Sequence, residues 1–141
     1  MRTKLRLSAW LALGVVSTLL AACGGGSDSE AGQPIAVTER DFEIEAPKRI
    51  PSGPVLLEVE NEGPIAHELA VVRGGGERPR LGDNGLVIDE EWLEPREVDE
   101  LEPEDPGTRT LRLNLRPGRY LLLCNMTAHY QGGMHTEVLV R

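Results

Sequence analysis

Apolar residues alternate with polar residues in several short runs after position 34. The clearest runs place their apolar residues at Val55, Leu57 and Val59, and at Leu111, Leu113 and Leu115. A spacing of two positions is that of a β-strand with one buried face, because successive side chains of a strand point to opposite sides. The sequence therefore predicts an all-β domain.

Residues 34–141 contain enough such runs for six to eight short strands, with turn signals such as residues 61–64 between them. Residues 121–123 are three consecutive leucines, which indicates a central strand covered on both faces. The connection over residues 74–107 is irregular, and we expect a short strand and a turn of helix there. Many short strands with little helical periodicity predict a β-sandwich, two antiparallel sheets packed face to face.

The beginning of the chain has the pattern of an export signal. Arg2, Lys4 and Arg6 are followed by an apolar run over residues 7–20. This run is shorter than the about 20 apolar residues that a membrane-spanning helix needs. We expect a signal helix that is cleaved during export. The protein is then predicted to act outside the cytoplasm.

The end of this signal, Leu20-Ala21-Ala22-Cys23, resembles the lipobox of bacterial lipoproteins. That resemblance implies cleavage before Cys23, lipidation of Cys23 and anchoring at a bacterial membrane, on its periplasmic or extracellular face. The alternative is an ordinary secretory signal with an incidental cysteine. The residues that follow are rich in glycine, serine and acidic residues, as in a flexible tether. The predicted parts are a lipoprotein signal peptide at 1–22, a lipid-anchored tether at 23–33 and a folded domain at 34–141.

The net charge and the cysteine content limit the classes of partner and the roles of the thiol that the protein can have. Cleavage would remove three of the 15 basic residues and none of the 23 acidic ones, which leaves 119 residues with a net charge of -11. That charge argues against nucleic acid as a partner. If Cys23 carries lipid, Cys124 has no partner for a disulfide, so a lone thiol in an exported protein needs another explanation.

Cys124, His129 and Met134 follow one another at equal spacings of five, on one loop between two predicted strands. His67 is the only histidine outside this end of the chain, and it shares a face with core residues. Two imidazoles, one thiolate and a weak axial thioether form the ligand set of electron-transfer copper. Thiolate and imidazole also bind zinc, but the affinity order and the weak fourth ligand favour copper.

Each candidate ligand has a simpler explanation when it is taken alone. A single cysteine can be a buried structural thiol, a single histidine a core residue and a single methionine a packing residue. The joint spacing favours a metal site instead. We assign Met126 to packing because it lies only two residues after Cys124, and His135 to the surface.

The arrangement of Cys124, His129 and Met134 after a distant His67 resembles the cupredoxin family, the small blue copper proteins that include plastocyanin, azurin and auracyanin. The spacing is most similar to the pattern of auracyanin and rusticyanin. Residues 61–69 also resemble the family's first-histidine segment. One departure is Glu68, which stands where many members have an asparagine that ties the ligand loops together. Glu68 would bridge the loops, face solvent or contact the metal, and we favour the first two roles.

The resemblance implies a Greek-key β-sandwich and one mononuclear type 1 copper ion that cycles between Cu(II) and Cu(I). It also implies an electron carrier rather than an enzyme, with the edge of His129 as the exit to a partner. The alternatives are a copper-delivery module without a redox role and a copper enzyme, for which three histidines are too few.

Residues 83–105 contain 11 acidic residues and one basic residue, Arg96. This segment is either a solvated surface or a docking surface for a basic redox partner, such as a c-type cytochrome, an oxidase or a reductase. We expect the protein to be a monomer.

Overall fold

The computed structural model describes residues 32–141, in which the chain forms nine strands and two one-turn helices. The elements are β1 Gln33–Arg40, β2 Glu43–Glu45, β3 Arg49–Ile50, β4 Gly53–Asn61, β5 His67–Arg73, α1 Glu90–Leu93, β6 Glu97–Glu104, β7 Gly107–Leu115, β8 Gly118–Leu123, α2 His129–Gly132 and β9 His135–Val140. The predicted signal peptide, Cys23 and nearly all of the predicted tether lie outside the described residues. From residue 32 onward, no helix has the length and apolar character that crossing a membrane requires.

The strands form two sheets, with the orders β2-β1-β4-β7 and β3-β9-β8-β5-β6. The predicted β-sandwich is confirmed, with nine strands rather than six to eight because β2 and β3 are very short. The expectation of purely antiparallel sheets is wrong. β1 pairs in parallel with β4, and β3 pairs in parallel with β9. Periodicity along a strand shows which face is buried but carries no information about the direction of its neighbour.

The alternating residues form the core between the sheets. In β4 the buried side chains are Val55, Leu57, Val59 and Asn61, and in β7 they are Leu111, Leu113 and Leu115. Each fully buried valine or leucine stabilises the fold by about 1.5–3 kcal/mol. The period-two pattern therefore marks the faces that hold the two sheets together.

β8 lies between β9 and β5, so the predicted central strand is confirmed. Leu122 faces the main core, whereas Leu121 and Leu123 point to the outer face of this sheet. Ile88 and Leu93, from the long connection, cover that outer face. The turn of helix that we expected in this connection is α1, and the strand that we expected is β6, which is longer than predicted at eight residues.

A buried ion pair links three strands near one end of the sandwich. The Arg109 guanidinium donates to Glu39 Oε2 at 2.6 Å and to the backbone oxygen of Glu102 at 2.8 Å. These bonds connect β7 to β1 and to β6. Burial raises the pKa of Glu39, and the charge of Arg109 opposes that rise. Arg109 thus keeps a buried carboxylate paired.

We predict that Arg109→Met lowers the free energy of unfolding by about 3–5 kcal/mol, because it leaves a buried carboxylate without its partner. Urea denaturation measures the change. Arg112→Met is the matched control, since Arg112 is exposed on the same strand, and it should change stability by less than about 0.5 kcal/mol. Equal effects of the two substitutions would contradict a stabilising role for the pair.

Candidate metal centre

Strand pairing brings the first two candidate ligands to the same end of the sandwich. β5 and β8 are antiparallel neighbours, with Ala70 opposite Leu123. The start of β5 and the end of β8 therefore meet at one end of the sandwich. His67 is the first residue of β5, and Cys124 directly follows β8. His129 is the first residue of α2, in the loop that leaves β8.

Three donor atoms converge inside the protein at this end of the sandwich. His67 Nδ1 lies 3.3 Å from His129 Nδ1, and Cys124 Sγ lies 3.3 Å from the same His129 atom. All three donor atoms are within 4.8 Å of one another, and all three residues are buried. Metal–ligand bonds of about 2.0–2.3 Å at tetrahedral to trigonal angles separate neighbouring donors by about 3.3–3.8 Å. The three side chains thus fit one metal ion.

Met134 lies beside two of these residues through its backbone. Its N–H donates to His129 O at 3.0 Å, and its carbonyl accepts from Cys124 N–H at 3.1 Å. The side chain is completely buried in the same core cluster as Cys124. The loop therefore closes on itself around the three donors, and the role of Met134 as an axial ligand stays a prediction.

Burial affects the protonation of the donors. It raises the pKa of the Cys124 thiol from 9.0 to about 11, so the metal-free thiol keeps its proton at neutral pH. It also lowers the pKa of His67, although the hydrogen bond to Asp41 opposes this shift. A neutral imidazole is the form that binds metals. The centre is thus formed from one protonated thiol and a neutral His67 until a cation displaces the thiol proton.

Glu68 connects the two segments that carry the ligands. Its carboxylate accepts a hydrogen bond from Asn125 N–H at 2.5 Å, directly after Cys124. Glu68 therefore bridges the loops, which is one of the two roles that we favoured from the sequence. Asn125 in turn exchanges side-chain hydrogen bonds with the backbone of Ile88 in the long connection. Sequence reasoning missed Asn125, because no pattern in the chain links residue 125 to residue 88.

The turn before β5 is held by Asn61. Its side chain accepts from Gly63 N–H at 2.9 Å and donates to Ile65 O at 2.8 Å. Gly63 approaches the imidazole so closely that an added Cβ would lie 3.1 Å from His67 Nε2. The turn that the sequence predicted at residues 61–64 thus fixes the direction from which His67 enters the centre.

Sequence reasoning also missed two residues in the turn between β1 and β2. Asp41 Oδ1 lies 3.2 Å from His67 Nε2, and the ring of Phe42 packs edge-on against His129 with centroids 5.5 Å apart. Both contacts are tertiary, and neither residue belongs to a recognisable motif. A single two-residue turn therefore contacts both imidazoles.

Among residues 32–141, Met126 and His135 are the other sulfur and imidazole side chains. Met126 is partly buried and packs against the main core. His135 is exposed, and its ring lies 4.5 Å from that of Tyr130. His135 does not belong to the group of converging histidine and cysteine donors.

Comparison with known proteins identifies the architecture. No protein-family model matches the chain, and no curated protein matches its sequence. Solved structures do match. Auracyanin from Roseiflexus castenholzii aligns with a TM-score of 0.58 at 18% identity, over 78% of this chain and 98% of the auracyanin. Rusticyanin from Thiobacillus ferrooxidans aligns with a TM-score of 0.57 at 16% identity, over 78% and 79% of the two chains.

A third structure is auracyanin A from Chloroflexus aurantiacus, described as a blue copper protein, with a TM-score of 0.55 at 15% identity over 77% of this chain and 99% of the auracyanin. At sequence identities this low, the structural likeness shows the fold alone. The strand order, the sandwich and these alignments agree with the architecture that the resemblance to cupredoxins implied. The chain therefore has the cupredoxin fold.

Proposed function

We propose that this protein is an electron carrier that holds one mononuclear type 1 copper ion at His67, Cys124, His129 and Met134. The observation that carries the proposal is the convergence of one thiol and two imidazole nitrogens within 4.8 Å, in a buried position. Auracyanin A, which shares the fold, is described as a blue copper protein. The donor set also matches the chemistry of electron-transfer copper.

When bound, copper supplies a one-electron couple between its Cu(II) and Cu(I) states. The residues of the chain prepare its surroundings. Cys124 gives up its proton to become a thiolate ligand, and His67 is completely buried, which keeps water away from the donors. The backbone bonds between Met134, Cys124 and His129 limit movement of the loop. A site that moves little between oxidation states favours fast electron transfer.

His129 is the proposed exit for the electron. It retains 8% of its surface exposed, whereas His67 and Cys124 retain none. Two exposed apolar side chains flank its loop. Phe42 packs on the His129 ring, and the backbone oxygen of Leu86 accepts from Ala128 N–H at 2.7 Å. A partner that docks on these apolar side chains would approach His129 directly.

An acidic surface lies beside the segments that carry His67 and Cys124. Glu104, at the end of β6, is the register partner of His67. Glu68, Glu97 and Glu100 line one surface groove together with Asn125, the residue after Cys124. This charge would attract a basic redox partner, such as a c-type cytochrome, an oxidase or a reductase, and orient it towards the centre.

The proposed location is the outer side of a bacterial membrane, with Cys23 as the lipidated residue after removal of residues 1–22. The composition of the segment from Gly24 to Gly32 suits a tether that lets the domain reach a partner.

A carrier role also agrees with the chemistry of the donors. Among residues 32–141, Cys124 is the only free cysteine, so the described part of the chain offers one thiolate for one ion.

The first prediction from this proposal concerns the thiolate. Stoichiometric Cu(II) should give the purified protein an intense visible absorption band, which comes from thiolate-to-copper charge transfer and is absent from Cys124→Ser. Absorption spectroscopy during the titration measures it. Stopped-flow mixing with a small reductant should then bleach the band rapidly. Copper that stays bound but exchanges electrons slowly would favour a delivery module, and steady turnover with dioxygen or nitrite would favour an enzyme.

The second prediction separates the two thioethers near the centre. Met134→Leu should raise the equilibrium constant for reduction about tenfold, equivalent to about 59 mV for one electron, because the oxidised ion loses an electron-pair donor that it needs more than the reduced ion does. Met126→Leu is the matched control and should shift the potential by much less, since Met126 packs against the core. Spectroelectrochemical titration gives both values. A larger shift from Met126→Leu would instead identify Met126 as the axial ligand and Met134 as the packing residue.

The third prediction concerns the thiol proton. Because the pKa of Cys124 is raised to about 11, binding of copper at pH 8 should release about one proton per ion. Since the proton competes with the metal below this pKa, apparent affinity should increase about tenfold for each unit of rising pH between pH 7 and pH 9. A pH indicator in weak buffer measures the release. Cys124→Ser should release none from this position, and equal release from both proteins would exclude Cys124 as the ligand.

A further inference from the structure

Both ring nitrogens of His67 have a partner. Nδ1 faces the donor cluster, 3.3 Å from His129 Nδ1, and Nε2 lies 3.2 Å from the carboxylate oxygen of Asp41. A carboxylate accepts hydrogen bonds, so Nε2 carries the hydrogen of the neutral ring. Nδ1 is then left with its lone pair directed towards the cluster. Asp41 thus selects the tautomer in which His67 presents the correct nitrogen to a metal.

The turn that carries Asp41 is fitted closely to the centre. Phe42 adopts a φ of 62°, the left-handed conformation that bulky residues rarely occupy. Its ring lies against His129 and fills the space that a side chain at Gly132 would need. A strained residue of this kind persists only where the surrounding contacts determine its conformation. The contacts on both imidazoles hold the turn in place.

Gly63 provides the space for the contact between Asp41 and His67. An added Cβ at position 63 would lie 2.7 Å from Asp41 Oδ1 and 3.1 Å from His67 Nε2. The backbone of Gly63 is also fixed, because its N–H donates to the Asn61 side chain. Two separate segments, the β1–β2 turn and the turn before β5, therefore leave room for one carboxylate beside one imidazole.

We propose that Asp41 is a positioning residue of the copper centre, a role that rests on the proposed function of that centre. Its carboxylate fixes the tautomer and orientation of His67. Its negative charge, on the far side of the imidazole from the cluster, also stabilises the more positive, oxidised state of the ion. The side chain is 36% exposed, so solvent screens part of this effect. Asp41 thereby keeps the reduction potential lower than a neutral residue would.

The test compares Asp41→Asn and Asp41→Ala with Glu43→Gln. Glu43 is exposed in β2, two residues after Asp41, and the substitution Glu43→Gln removes the same single negative charge. Both Asp41 variants should increase the equilibrium constant for reduction of the copper-loaded protein about tenfold, or about 59 mV, and Glu43→Gln should cause less than half that shift. A shift in Asp41→Asn no larger than that in Glu43→Gln would overturn the proposal.

A second measurement does not depend on copper. Long-range ¹H–¹⁵N correlation spectra of the metal-free protein should show the His67 hydrogen on Nε2 in the wild type and a mixture of tautomers in Asp41→Ala. A wild-type His67 with its hydrogen on Nδ1 would overturn the proposal. Wild-type protein that gives no thiolate-to-copper band would instead refute the proposed function, and the tautomer spectra would still test Asp41.

Discussion

The pairing of β5 with β8 is the interaction on which the candidate metal centre depends. This antiparallel register brings residue 67 and residue 124 to the same end of the sandwich, although 57 positions separate them in the chain. Sheet hydrogen bonds between β5 and β8 maintain the register, and a slip of one residue would turn Tyr120 and Cys124 away from the main core. The core of the sandwich therefore sets the distance between the thiol and the first imidazole.

The loop after β8 adds the remaining donor through local structure. Ala128 adopts a left-handed conformation with a φ of 67°, and α2 begins immediately after it. His129 N–H bonds to Met126 O, and Met134 N–H bonds to His129 O. Backbone hydrogen bonds thus define the course of this short loop. The donors are positioned by the polypeptide itself, which agrees with a centre that changes little when a metal binds.

Much of this arrangement can be predicted from local patterns. Alternation in β4 and β7 gave the buried faces, and the equal spacing of Cys124, His129 and Met134 gave the candidate loop. The parallel pairing of β1 with β4 could not be predicted, since alternation is identical in either direction. Asp41 could not be predicted either, because its contact with His67 exists only after the two turns meet. The choice of Asn125 as the bonding partner of Glu68 likewise depends on tertiary structure.

β6 is the outermost strand of its sheet, and one side of its backbone has no neighbouring strand among residues 32–141. Such an edge can recruit a strand from another molecule and start aggregation. Acidic side chains occupy much of β6, and proline interrupts its backbone donors at position 103. A second copy of this edge would meet like charges along its length. The concentration of acidic residues thus gives the sandwich an edge that resists self-association, whatever partner it attracts.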